Sequence, residues 1–287
     1  MRSFKSINLI LLTLSISEIP AMACSSAISI EEAAKKGMIK LSIKGKGGYT
    51  GNVIAMKIQN LTNKNIDLKL EAGRRLDSKK ENEQDILVTQ PQEFVMSANQ
   101  NKTIGVYGMC CQAHNSAPKL KSDYSVGKLA DSNLIKLANF IDQNKYYTNY
   151  SAQQSVWVVS DNNSLASISG GEKEIVTNLR KFVSKLTGKV IPPYDITYNE
   201  GSDGSVMGRA VKIEGIFEYS LPMTCHSTMG IYDEQGRLIQ LIFKDLQSDR
   251  GDYKLFYTFR TKDVPAGTYY ARVDADGMLQ KQIKIEF

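Results

Sequence analysis

The most reactive side chains in this sequence belong to four cysteines and two histidines: Cys24, Cys110, Cys111, Cys225, His114 and His226. Neighbouring cysteines cannot bond to each other without a strained peptide, so Cys110 and Cys111 are each predicted to have a distant partner or a free thiol. Four cysteines allow three disulfide connectivities, and the sequence does not choose among them. Every chemical hypothesis for this chain starts from the adjacent pair.

Two kinds of site can be built from the pair and a histidine. Cys110, Cys111 and His114 offer three metal ligands, whereas a structural zinc site normally has four well-spaced ones. A cysteine hydrolase would need a base for Cys111, either His114, only three residues away, or the distant His226. The sequence therefore predicts no metal, no cofactor and no catalytic residue, and a small secreted hydrolase is kept as an alternative.

A third hypothesis joins the cysteine pair to a glutamine. After the pair come Pro118 and Tyr124, and then the segment Ala152 to Trp157, which reads Ala-Gln-Gln-Ser-Val-Trp. This arrangement resembles that of bacterial thioester domains, in which a cysteine bonds to the side-chain carbonyl of a glutamine in a Thr-Gln-x-Ala-Ile-Trp-like motif. The resemblance implies that Gln153 supplies the acyl group and that the bond captures an amine, such as a lysine on a partner.

The same resemblance makes Cys110 or Cys111 the thiol of the bond. Residues four apart share a helix face, so Trp157 would lie beside Gln153 and shield the bond from water. The structural alternative is that Gln153 is a buried, hydrogen-bonded helix residue, that Trp157 packs in the core, and that both cysteines are structural.

The composition is that of a folded protein with room for two domains. The chain has 287 residues, of which 42% are hydrophobic and 23% are charged, and its net charge is +6. Its basic residues are spread along the chain, whereas a nucleic-acid groove needs a clustered basic stripe with interleaved aromatics. No nucleic-acid partner is therefore predicted.

The elements that must position these residues form a mainly β fold with a helical elaboration, of the α+β class. Short apolar runs separated by Gly and Asn turns predict an N-terminal antiparallel β-sandwich within residues 24–198. The charged block Asp77 to Asp85 is predicted to be an exposed loop. Central helices are expected at about 131–186, with Asp131 or Ser132 as an N-cap. The segment from Ser151 is a second helix candidate, and its β-branched end is equally strand-like. A linker is predicted at 199–214.

The last segment, 215–287, has the strand and turn pattern of a β-meander. Its features are Tyr-Ser-Leu-Pro at Tyr219 to Pro222, an Ile-Tyr-Asp-x-x-Gly-Arg hairpin at Ile231 to Arg237, and Gly-Thr-Tyr-Tyr at Gly267 to Tyr270. These motifs resemble the C-terminal Ig-like sorting domain of the type IX secretion system and the Ig-like domain of flagellar hook-capping proteins. The resemblance implies a C-terminal Ig-like β-sandwich that addresses the protein to the secretion machinery. An ordinary terminal Ig-like domain is the alternative.

The first residues are typical of export. Residues 1–23 have a basic start, an apolar core too short to span a bilayer, and an Ala-Met-Ala cleavage site, which together predict a signal peptide. Cys24 directly after that site is a candidate for lipidation, and no transmembrane helix is predicted. We therefore expect an exported surface or secreted protein that is a non-enzymatic interaction partner of an unknown ligand, with a covalent thioester adhesin as the alternative.

Overall fold

The computed structural model describes residues 27–201 and 207–287. The strands are β1 Ile28–Ser29, β2 Ile39–Gly45, β3 Thr50–Asn60, β4 Ile66–Leu70, β5 Arg74–Ser78, β6 Ile86–Val88, β7 Gln92–Met96, β8 Asn101–Cys110, β9 Asp123–Leu129, β10 Tyr194–Tyr198, β11 Ala210–Leu221, β12 Cys225–Asp233, β13 Leu238–Ser248, β14 Gly251–Arg260, β15 Thr268–Ala275 and β16 Met278–Glu286. The helices are α1 Ile30–Lys35, α2 Ser132–Gln143, α3 Tyr150–Ser160 and α4 Lys173–Thr187, with a 3₁₀ turn at Leu165–Ser167. The predicted mainly β class with a helical elaboration is confirmed.

The N-terminal strands close into a six-stranded barrel in the order β2-β3-β8-β6-β5-β9. The barrel closes because β9 pairs both with β5 and, through Tyr124 opposite Ile43, with β2. Strands β1, β4 and β7 form a separate three-stranded sheet. This closure corrects the predicted N-terminal sandwich. The sequence pattern of alternating apolar residues is common to barrels and sandwiches, and it does not reveal which edge strands meet.

The central helices pack as a layer against the barrel. In α2, the predicted N-cap Asp131 accepts hydrogen bonds from the main-chain N–H groups of Asn133 and Leu134 at 2.8 and 3.1 Å. The α4 helix ends at Gly188, whose φ of 74° is a left-handed conformation that glycine adopts without strain. Eight of the eleven residues of α3 are buried, so this helix lies between the barrel and the other helices.

The C-terminal strands form a two-sheet sandwich around one hydrophobic core. One sheet has the order β10-β11-β14 and the other β13-β12-β15-β16. Seven strands in sheets of three and four are the architecture of Ig-like sandwiches. The first strand, β10 (Tyr194–Tyr198), lies before the predicted linker at 199–214, and β11 begins at Ala210, inside that linker. The sandwich therefore starts earlier than residue 215.

Two predictions concern residues outside the described parts of the chain. The signal peptide at 1–23 and the lipidation candidate Cys24 both lie there. Within residues 27–201 and 207–287, no helix has the length and apolar character needed to cross a membrane.

Candidate functional site: the Cys110–Gln153 pair

The structure brings Gln153 of α3 against Cys110, the last residue of β8. The Cys110 main-chain N–H donates to Gln153 Oε1 at 2.8 Å, and Gln153 Nε2 donates to the Cys110 carbonyl oxygen at 2.8 Å. Both residues have no exposed surface. With a carbonyl bond of about 1.2 Å, the Gln153 amide carbon lies within about 4 Å of the Cys110 nitrogen. Of the two cysteines predicted as the thiol, Cys110 is the one whose main chain holds the glutamine.

The Gln153 carboxamide occupies the position of a missing strand neighbour. Strand β3 begins at Thr50, which lies opposite Met109 of β8, so Cys110 extends one residue beyond this pairing. The Tyr49 carbonyl oxygen also accepts from the Cys110 N–H, at the longer distance of 3.3 Å. An amide group offers one donor and one acceptor, as a peptide unit does, and therefore satisfies both main-chain groups of Cys110.

The start of α3 fixes the direction in which Gln153 points. Asn149 caps the helix by accepting from the Ser151 N–H at 2.8 Å. Trp157, one turn after Gln153, is fully buried, and its indole Nε1 donates to Gln84 Oε1 at 3.2 Å. The tryptophan packs in the barrel core, in the same cluster as Cys110. The fold therefore brings Gln153 to Cys110 and buries Trp157 in the same core as Cys110.

The two adjacent cysteines face different layers of the molecule. Cys110 belongs to the barrel core, and Cys111 belongs to the core of the helical layer with Ala152. The Cys111 N–H donates to the Asp85 carbonyl oxygen at 2.9 Å. Cys110, Cys111 and Cys225 are all free thiols and all buried. Successive residues of a strand point to opposite faces, which explains the divergence of the pair.

Burial keeps both thiols of the pair protonated at neutral pH. It raises the pKa of Cys110 well above the usual thiol value, and the neighbouring Cys111 thiol and Glu83 carboxylate raise it further. Burial also raises the pKa of Cys111 to about 12, against the opposing effect of the Arg75 charge. Repeated turnover by a hydrolase needs an activated thiolate, and these environments disfavour one.

The histidines proposed as partners lie in different surroundings. His226 is on β12 of the C-terminal sandwich, where its Nδ1 lies 2.9 Å from Asp245 Oδ1. His114 is exposed after the end of β8, three residues beyond Cys111. In the described parts of the chain, no three His, Cys, Asp or Glu side chains form a group that would hold a metal ion.

A buried polar network beside the pair was missed by the sequence analysis. Glu83 is 3% exposed and accepts from Ser122 Oγ at 2.7 Å and from the Tyr124 hydroxyl at 2.9 Å. Its neighbour Gln84 is fully buried and is the residue that receives the Trp157 indole N–H. Both residues belong to the charged block that was predicted to be an exposed loop, so this prediction is wrong at its end. It is also wrong at its start, where Asp77 lies in β5. Charge density alone gave no signal that a carboxylate would be enclosed by hydroxyl donors.

No protein-family model matches the chain, and no curated protein sequence does. Among solved structures, one similar chain is described as CBM51-2 in complex with GlcNAc and INT domains from Clostridium perfringens ZmpB. It is 13% identical over 86% of this chain and 79% of its own length, with a TM-score of 0.16. A likeness at this level carries no argument about fold or function.

Proposed function

We propose that the protein is an exported, non-enzymatic interaction protein that captures amines on a partner through a thioester between Cys110 and Gln153. The observation that carries the proposal is the double hydrogen bond between the Gln153 carboxamide and the Cys110 main chain. It holds the acyl carbon next to the residue that carries the thiol, in a site without exposed surface. Proximity of this kind supplies much of the free energy needed for an intramolecular reaction.

The bond-forming step balances without any co-reactant. Cys110 Sγ bonds to the Gln153 amide carbon, the carbon–nitrogen bond breaks, and the thiol proton passes to the departing nitrogen, so that ammonia leaves. The Cys110 N–H already donates to Gln153 Oε1, the oxygen on which negative charge develops in this step. A main-chain donor at that position stabilises the tetrahedral transition state.

The capture step then consumes the thioester. The neutral amine of a partner attacks the same carbon, the carbon–sulfur bond breaks, and a proton of the amine passes to Cys110 Sγ. Because burial raises the pKa of the Cys110 thiol, the released sulfur takes up this proton readily. The partner is left attached to Gln153 by an amide bond. Each molecule of the protein reacts only once, which is typical of a covalent adhesin and not of an enzyme.

The test is the intact mass of the purified protein with peptide mapping, before and after treatment with methylamine. We expect a mass lower by one ammonia and a Cys110–Gln153 crosslink that methylamine opens with addition to Gln153. The matched controls are Cys110→Ala, which should have the full mass, and Cys111→Ala, which should still lose ammonia. A wild-type protein with the full mass and an unmodified Gln153 would refute the proposal.

Export is a separate part of the proposal and is supported by the sequence at both ends. The signal-peptide pattern at 1–23 and the resemblance of 215–287 to a type IX sorting domain favour delivery to the cell surface or the medium. Because β10 pairs with β11, the deletion that tests sorting removes 194–287 and not only 215–287. We expect the truncated protein to stay in the periplasm, and its normal delivery would contradict a sorting role.

A further inference from the structure

Two tyrosines, Tyr49 and Tyr150, lie near the Cys110–Gln153 pair. On α3, Tyr150, Gln153 and Trp157 are three and four residues apart and so share one helix face. The Tyr49 ring lies 5.9 Å from the ring of Tyr150 and 6.4 Å from that of Trp157, measured between centroids. The Tyr49 ring therefore lies beside the residues one turn before and one turn after Gln153 on this face.

The β2–β3 loop brings Tyr49 to this position. Gly47 and Gly48 of this loop and Gly51 at the start of β3 have φ values of +91°, +85° and +85°, a region that residues with a Cβ rarely adopt. The backbone therefore has positive φ values on both sides of Tyr49. The Tyr49 carbonyl oxygen also faces the Cys110 N–H at 3.3 Å, so main chain and ring approach the pair together.

Exposure decreases from the tyrosines to the pair. Tyr150 is 41% exposed and Tyr49 is partly exposed, whereas Gln153 and Trp157 have no exposed surface. The Tyr49–Tyr150 contact, with an interplanar angle of 70°, is thus on the more exposed side of this helix face, and Gln153 is on its buried side. A nucleophile that approaches the pair from this side has to pass the edge of one ring and the face of the other.

We propose that Tyr49 and Tyr150 form the entrance to the Cys110–Gln153 bond and select primary amines on unbranched alkyl chains, such as lysine side chains, over water and over branched amines. This inference rests on the proposed thioester function. The two rings are not catalytic residues; they determine which nucleophile reaches the bond.

The chemistry of the entrance fits such an amine. Aromatic faces attract ammonium groups, and they pack against methylene chains while offering water few hydrogen bonds. A negative charge also lies close by, since the Glu200 carboxylate is among the groups that raise the pKa of Tyr150, after burial and Tyr49. The ammonium group releases its proton to solvent water at the entrance, and the neutral amine then attacks as described above.

The experiment measures how fast the thioester of the full chain is lost to water, n-butylamine and tert-butylamine, by intact mass. The variants are Tyr49→Ala and Tyr150→Ala, and Tyr49→Phe is the control that keeps the ring. We expect each alanine variant to hydrolyse about tenfold faster and to prefer n-butylamine over water about tenfold less, since one aromatic contact is worth about that factor. Tyr49→Phe should stay within about twofold of the wild type.

The outcomes separate this inference from the proposed function. If the wild type has a thioester, and both alanine variants keep its loss rates and amine preference, the entrance role of the tyrosines is refuted. The proposed covalent capture is then unaffected. A wild-type protein without a thioester overturns both. If Tyr49→Ala does not fold, Tyr49→Leu keeps apolar volume in the loop, and a wild-type amine preference in that variant and in Tyr150→Ala again overturns the inference.

Discussion

The hydrogen bonds of Gln153 predict a pH-dependent loss of stability in Gln153→Glu. The test is made in a Cys110→Ala background, where no thioester forms and the main-chain groups of residue 110 remain. The ionised Glu side chain accepts from the N–H of residue 110 but cannot donate to its carbonyl oxygen, which it repels. The protonated side chain can do both, so the folded state raises the pKa of this carboxyl.

The magnitude follows from proton linkage. Below the pKa of about 4.3 that the carboxyl has in the unfolded chain, ionisation does not lower the free energy of unfolding. Above that pH, the free energy of unfolding falls by about 1.4 kcal/mol for each pH unit, until the pKa of the folded state is reached. At pH 7 the free energy of unfolding should therefore fall by at most about 3–4 kcal/mol relative to the Cys110→Ala parent. For a chain of this size the melting temperature should fall by roughly 6–15 °C.

The assay is urea and thermal unfolding of the parent and the variant at pH 4.5 and pH 7. Gln280→Glu in the same background is the control, because Gln280 is exposed on β16 and a charge there should cost little at either pH. If Gln153→Glu were as stable as the parent at pH 7, the double hydrogen bond would not exist in solution. A loss of equal size at both pH values would show that burial of the carboxyl, and not its charge, is the cause.

Three further predictions concern buried groups near and far from the pair. The pKa of Cys111 at about 12 predicts that iodoacetamide alkylates it roughly a thousandfold more slowly at pH 8 in the native protein than after denaturation; equal rates would contradict its burial. As the pH rises, the Cys111 thiol ionises in the unfolded chain before it ionises in the folded protein. The stabilisation that the buried thiol contributes is therefore present below pH 9 and is lost as the pH rises towards 12. Tyr124→Phe should lower the free energy of unfolding by about 1–3 kcal/mol, since it removes a hydroxyl that donates to a buried carboxylate. Tyr257→Phe should change it little, since the Tyr257 hydroxyl is buried without a partner among the described residues. Equal effects of the two substitutions in urea unfolding would contradict this assignment of hydrogen bonds.

The helical layer was largely predictable because the apolar residues of a helix recur at helical spacing along one face. The apolar residues of α2 predicted at helical spacing are all buried: Leu134, Leu137, Ala138 and Ile141. The α3 segment was ambiguous because Val156, Val158 and Val159 favour strands locally. Burial on nearly all sides stabilises the helix there, and no single apolar stripe marks it in the sequence.

The candidate site was predictable in its residue types and not in its geometry. The motif around Gln153 pointed to the glutamine, yet it left Cys110 and Cys111 as equal candidates. The choice depends on where β3 begins, because Cys110, the last residue of β8, is the first residue beyond the pairing of Thr50 with Met109. Such a register is set by long-range strand pairing, as is the barrel closure between β9 and β2, and neither leaves a local pattern in the chain.

Tyr198, at the end of β10, packs against the hydrophobic cores of both the barrel and the C-terminal sandwich. The Met207 N–H, from the segment just before β11, also donates to the Ala113 carbonyl oxygen beyond the end of β8 at 3.0 Å. The two halves of the molecule are therefore energetically coupled, and a calorimetric scan should show one cooperative transition where independent modules would show two. A substitution that destabilises the sandwich would therefore also destabilise the barrel. The half that carries the proposed sorting domain would in this way affect how rigidly Gln153 is held.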